Sequence, residues 1–374
     1  MTNRIYYLDA LRSFCMLFGI LVHTNTLFDP SLYPIVNGIS QHFRMPTFFL
    51  VSGFFVALVT HRTSATAMFR RRTLAIMLPF LSALILLNPV TNYLVHIYHN
   101  PWMSPVEFFS GGWRAPAEGP GVWLLHLWFL LSLWFYVAIS PALGFVFNLA
   151  PAKRLAGRLA GWRPDVLIFA LALAVAIGVM ALRGFYAVIL EPAIEGSRLA
   201  WTARATLQNL PYFMLGIAAY ATPALFERLH RVSWPTLVLG LVLVLGLDRL
   251  GGALPDAAGT LAEIFARALL TVANIAALLW ISRALFSKAN GFVAALTDSI
   301  YTVYLFHYLA IYVWGNLLAG DVTSDPLLYF VVTALTFLST FALHRWVIAR
   351  TPILTLMFNG RPMPRSRTQR LHEA

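Results

Sequence analysis

Ten apolar stretches run through this chain, long enough to cross about 30 Å of hydrocarbon as helices except for a short one at 235–250. They fall near residues 10–28, 42–60, 74–97, 122–147, 165–183, 205–221, 235–250, 261–282, 293–314 and 326–348. Hydrocarbon satisfies no backbone hydrogen bond, so a chain built this way must cross as helices. The expected fold is an all-α integral membrane protein, a bundle of about ten transmembrane helices. Composition agrees, since 59% of the 374 residues are hydrophobic and 11% are charged, against roughly 25% charged in a soluble domain.

The net charge of +12 raises the question of a nucleic-acid partner. Position answers it. Lysine and arginine gather in alternate connections: Arg62, Arg70, Arg71 and Arg72; Lys153, Arg154, Arg158 and Arg163; Arg228 and Arg231; Arg283 and Lys288. The C-terminal end adds Arg350, Arg361, Arg365, Arg367 and Arg370. The intervening connections hold Arg114 and Arg198 but are mainly acidic, with Asp29, Glu107, Glu191 and Asp321 among them. Basic connections stay on the cytoplasmic side, which gives both termini inside and assigns the excess charge to orientation. No nucleic-acid partner is expected. Residues 1–348 read as one transmembrane domain and 349–374 as a basic cytoplasmic tail beside anionic membrane lipid. The single cysteine, Cys15, excludes an intrachain disulfide and cysteine-based metal sites, and no metal is expected.

The first span, "LDALRSFCMLFGILVHT", is apolar yet carries Asp9, Arg12 and His23. On a helix Arg12 and His23 lie about 20° apart around the axis and about 16 Å apart along it, with Asp9 about 60° from Arg12. Intramembrane charges are costly and face a bundle interior or a wet cavity. One reading makes Asp9 and Arg12 an interfacial ion pair and His23 a helix–helix hydrogen-bonding residue. The other uses the length: a coenzyme A pantetheine arm is of that order, so Arg12 holds phosphate at the inner mouth and His23 meets the thioester. Gly19 leaves room between them.

Six of the ten histidines collect toward the expected outer side. His42, with Arg44, opens the second span, His96 and His99 close the third, His126 opens the fourth, and His307 lies in the ninth at a depth like that of His23. Histidine is the usual general base near neutral pH, although a lone histidine is more often structural. The ninth span also places Tyr301, Tyr304 and Tyr308 on one face, as an aromatic belt or as the wall of a polar cavity.

These segments resemble a known family. "YYLDALRSFCMLFGILVHT", "HFRMPTFFLVSGFF", "HLWFLLSL" and "SIYTVYLFH" occur in the order of the signature segments of the multispanning acyltransferase-three membrane enzymes. Within that family the likeness is nearest to members that succinylate osmoregulated periplasmic glucans. The resemblance implies an O-acyltransferase of the bacterial inner membrane. Its donor would be cytoplasmic acyl-CoA, with succinyl-CoA expected, and its acceptor a hydroxyl of a periplasmic glucan. The family's basic residue and histidine fall on Arg12 and His23, with Asp9 and Arg72 expected to join Arg12 at the donor. His23 is the expected general base. Tyr304 and His307 join it as catalytic candidates, while Arg44, His42, Ser52 and Trp128 are expected at the acceptor. Attack on a thioester needs oxyanion stabilisation, for which Arg44, Tyr304 and His307 stay open. One departure stands out: where the family often has two arginines three apart in its third span, "FRRRTLAIMLP" offers Arg72 and then Ala75, leaving Arg70 and Arg71 as substitutes. The rival function is a carrier that exports an acylated sugar or organic acid, which would favour paired broken helices. No internal repeat points to it.

Overall fold

The computed structural model describes residues 5–114, 123–195, 197, 199–249, 256–322 and 324–361. Arg198 and the end of the tail, with Arg365, Arg367 and Arg370, lie outside the described residues. Ten long helices carry the rest. They are α1 (Tyr6–Thr24), α2 (Arg44–Thr60), α3 (Ala65–Ser82), α4 (Trp128–Asn148) and α5 (Pro164–Phe185). α6 (Ala200–Ala221), α7 (Trp234–Arg249), α8 (Asp256–Phe286), α9 (Gly291–Leu318) and α10 (Asp325–Trp346) follow.

Nine of the expected spans each overlap one of these helices, and the third, 74–97, runs from the end of α3 into the helix that ends at His99. Among the described residues, seven helical stretches are long and apolar enough to cross a membrane, or up to eight if the short helix Pro223–Leu229 and α7, bent 69° at their break, form one span. The chain is an all-α, multispanning membrane protein. α6 and α9 fall outside the seven because of their polarity. α6 holds Arg204, Gln208 and Asn209, and α9 holds Asp298, His307 and four tyrosines.

Two helices widen by one π turn, and proline explains both. α3 passes through Ala83–Leu87 into the helix Asn88–His99, and α5 passes through Tyr186–Leu190 into Glu191–Ile194. Pro89 and Pro192 stand just beyond these turns. A proline lacks the N–H for the ladder and its ring clashes with the carbonyl four residues earlier. The wider turn relieves that clash without ending the helix.

The chain divides into two compact units. The first contains residues 1–15, 37–69 and 135–294. Its helices close on one another through glycine. At the α2–α6 crossing a Cβ on Gly53 would run into the Phe213 carbonyl, and one on Gly216 into the Leu50 carbonyl. Gly240 of α7 lies against the Leu270 backbone of α8 in the same manner. Lipid gives helices no hydrophobic reason to associate, so close van der Waals approach over small residues must supply it. Large rings fill in beside the glycine crossing, with Tyr136 4.9 Å from both Phe49 and Phe213.

The second unit contains residues 16–36, 70–134 and 295–374. Its core gathers Ile20, Leu27, Val95, Val303, Tyr308, Ile311, Tyr312 and Val332. Side-chain hydrogen bonds cross between its helices: Asn316 to the Leu94 carbonyl at 3.1 Å, Trp314 to Ser339 at 3.2 Å, and Thr302 with His344 at 2.9 Å. Order continues past α10. The helix Pro352–Asn359 ends on Gly360, whose φ of +60° suits glycine. Gly360 lies against the backbone of Ala75, and Arg361 pairs with Asp298 at 2.8 Å.

Candidate active site

α1 is unbroken from Tyr6 to Thr24, so Arg12 and His23 lie eleven residues apart on one continuous helix. Near its start, in the first unit, Asp9 and Arg12 form an i,i+3 ion pair at 3.9 Å, with 29% of the Arg12 side chain exposed. The Arg12 guanidinium sits 5.6 Å from the centre of the Phe55 ring, a cation–π distance. Arg44 is the first residue of α2 and is half-buried, and Ser52 is buried two turns further along. The His42 carbonyl accepts a hydrogen bond from Asn274 at 3.2 Å.

In the second unit, the end of α1 meets a cluster of imidazoles and phenols. The half-buried ring of His23 lies 5.2 Å from His307 and 5.1 Å from Tyr308. His126 approaches the same two from another element, 4.7 Å from His307 and stacked on Tyr308 at 5.4 Å with their planes 4° apart. Tyr304 completes the group, 5.1 Å from His126 and 5.9 Å from His307. His126, Tyr304, His307 and Tyr308 are all buried. The α-helical repeat accounts for three of them, because Tyr304, His307 and Tyr308 occur at i, i+3 and i+4 of α9 and share a face.

Hydrogen bonds fix several of these groups. His307 donates from Nδ1 to the Tyr304 carbonyl at 2.6 Å, which leaves Nε2 as the basic, lone-pair nitrogen. The Tyr304 hydroxyl donates to the His126 carbonyl at 2.7 Å. A second chain holds the end of α1. Thr26 donates to the His23 carbonyl at 2.6 Å, Tyr312 donates to Thr26, and His99 Nε2 lies 3.1 Å from the Tyr312 oxygen. Tyr312 has one proton and gives it to Thr26, so His99 is the donor in that last contact.

Thus three expected residues, His23, Tyr304 and His307, come together. Asp9 and Arg12 form their own pair, and Arg44, His42 and Ser52 belong with α2. Arg72 is half-buried on α3, and Trp128 is half-buried at the start of α4. The four residues that complete the cluster and its support, His126, Tyr308, Tyr312 and His99, were not among the expected site residues. Three of them carried a signal: His99 and His126 belong to the outward gathering of histidines, and Tyr308 to the tyrosine face of α9. Which of those side chains meet depends on helix packing, which no single segment encodes.

Such a cluster is costly. A buried polar group left unsatisfied costs about 1–3 kcal/mol, and neither ring nitrogen of His126 is in hydrogen-bonding geometry with a described residue. Imidazoles and phenols held beside a half-buried histidine suit proton transfer at a hydroxyl. Among the described residues no group of three or more His, Cys, Asp or Glu side chains has the geometry to hold a metal ion.

The sequence profile of the acyltransferase domain family matches residues 5–345. The chain is similar to proteins called Glucans biosynthesis protein C. It is 24% identical over 383 residues to that of Escherichia coli O81 (strain ED1a), with 96% of each chain covered. It is 23% identical over 387 residues to that of E. coli O139:H28 (strain E24377A / ETEC), again with 96% of each covered. No solved structure matches significantly. A profile that covers nearly the whole membrane-spanning region decides the assignment: the chain belongs to the acyltransferase domain family and is a multi-pass inner-membrane acyltransferase.

Proposed function

We propose that the protein moves a succinyl or other short acyl group from cytoplasmic acyl-CoA to a hydroxyl of a periplasmic glucan. The buried imidazole–phenol cluster around His23 carries this reading, because a histidine held among such rings suits a general base for a hydroxyl. Similarity to Glucans biosynthesis protein C over 96% of both chains supports the glucan as acceptor, and the succinyl group follows from the resemblance of the signature segments alone.

His23 takes the proton of the sugar hydroxyl as its oxygen attacks the thioester carbonyl. His307, with its Nδ1–H engaged, is assigned to accept the ring N–H of His23 on Nε2 and so hold His23 in the tautomer whose other nitrogen is basic. Arg12, with Asp9 holding its guanidinium, grips donor phosphate. Arg72 adds positive charge on the cytoplasmic side. Arg44, His42, Ser52 and Trp128 are assigned to the acceptor. The distribution of basic residues puts both termini inside and the His23 end of α1 in the outer half of the membrane. Reporter fusions after Arg163 and Trp113 should read cytoplasmic and periplasmic respectively, and a periplasmic signal after Arg163 would break the ten-span topology. The carrier reading gains little, since among the described residues one bent pair, Pro223–Leu229 with α7, is found rather than two in matching halves.

Mass spectrometry of periplasmic glucans from cells with and without the protein tests the proposal. The expected result is an added succinyl mass only when the protein is present. Identical glucans in both strains would remove this acceptor.

A further inference from the structure

We propose that His126 is a catalytic residue whose ring N–H stabilises the oxyanion that forms on the acyl donor. This rests on the acyl-transfer reading above and assigns the group that holds the carbonyl oxygen.

The first observation is how firmly the residue is held while its ring nitrogens are left uncommitted. The Tyr304 hydroxyl clamps the His126 carbonyl at 2.7 Å. Asn88 clamps the Trp123 carbonyl, three residues upstream, at 2.7 Å. Between them Leu125 sits at φ +43°, a left-handed conformation that a leucine adopts only under constraint. The ring lies flat on Tyr308 and edge-on to His307 and Tyr304, and the residue is only 4% exposed. The carbonyls of Tyr304 and Leu305 are close enough to attract a ring N–H, but neither meets it at a hydrogen-bonding angle, so the ring keeps its N–H for a better acceptor. A buried, unsatisfied group of this kind calls for a partner that the folded chain does not provide.

The second observation is elimination among the neighbours. An oxyanion needs a donor that is already in place. Tyr304 spends its proton on the His126 carbonyl, and His307 spends its Nδ1–H on the Tyr304 carbonyl. A neutral imidazole has one N–H and one lone pair, so His126 keeps a donor of the kind that Tyr304 and His307 have already used.

In the reaction, the hydroxyl oxygen bonds to the thioester carbon while His23 takes the hydroxyl proton. The carbonyl oxygen becomes an oxyanion and accepts the His126 N–H. Collapse of the intermediate breaks the C–S bond, and the departing thiolate recovers the proton from the His23 imidazolium. His126 gains and loses no proton over the cycle.

The test compares His126→Phe and His126→Gln in purified protein, with succinyl-CoA as donor and glucan isolated from cells lacking the protein as acceptor. Thermal unfolding is measured first. The Phe variant keeps the ring packing and should lose about 100- to 1,000-fold in kcat, the range for one oxyanion donor, with the donor KM within about two-fold. The Gln variant regains an N–H and should be at least about ten-fold faster than Phe. Both should keep the wild-type pH profile, because the lost group does not titrate in the cycle. Wild-type kcat in the folded Phe variant would overturn the assignment, and so would a Gln variant no faster than Phe. No transfer by the wild type itself would instead sink the acyl-transfer reading, and His126 with it.

Discussion

The two units solve the problem of packing helices in a membrane by opposite means. The first brings backbones together: Gly53 and Gly216 let α2 and α6 approach until carbonyls occupy the space a Cβ would need. The second keeps polar rings between its helices, with His126, Tyr304, His307, Tyr308 and Tyr312 all buried. Small-residue contacts win stability from close approach and give no chemistry. Buried imidazoles and phenols add desolvation cost and are retained where a site needs them. Substitutions should therefore separate: those in the glycine crossing should remove the fold, and those in the ring cluster should remove activity from a protein that still folds.

The largest effect is expected from Gly216→Leu. The new side chain must displace the α2 backbone at Leu50, at a cost of roughly 3 kcal/mol or more, the upper range for overpacking. Folded protein recovered after detergent extraction should fall several-fold. Normal recovery with an unchanged melting temperature would mean that the crossing is looser than described. A smaller loss is expected from Gly360→Ala in the second unit, where a left-handed conformation costs an alanine about 1–2 kcal/mol and the Cβ meets the Ala75 backbone. Its melting temperature should drop while kcat stays near wild type. The smallest stability change belongs to Tyr312→Phe, which removes the bonds to Thr26 and His99, worth about 1 kcal/mol net. Activity should nevertheless fall about ten-fold, because those bonds hold the end of α1 that carries His23. Equal losses of stability and activity across all three variants would erase the distinction between the units.

The helices were legible because hydropathy governs what enters a bilayer, and the positions of most long helices follow from it, although α6 and α9 are more polar than a span that stands on hydropathy alone. The sequence also placed His23, Tyr304 and His307 among the candidates, since helical spacing and an outward gathering of histidines are local signals. The π turns were readable in principle from Pro89 and Pro192, although the widening depends on how the flanking helix continues. Two features were beyond any local pattern. His126 reaches Tyr304 and His307 across 178 and 181 positions of the chain, and Gly360 returns to Ala75 from the far end. Ala75 itself had been readable only as a missing arginine. Its backbone is the surface on which the C-terminal segment rests.

The central claim is that His23, beside the buried rings of the second unit, performs acyl transfer rather than supporting the fold. The most direct measurement is the rate of succinyl transfer from succinyl-CoA to glucan by purified His23→Ala, made alongside its thermal unfolding curve. The account predicts a melting temperature near that of the wild type and a rate lower by at least about 100-fold, the lower range for loss of a general base. A stable His23→Ala protein that transfers at a near-normal rate would contradict it and leave His23 as a residue of helix packing.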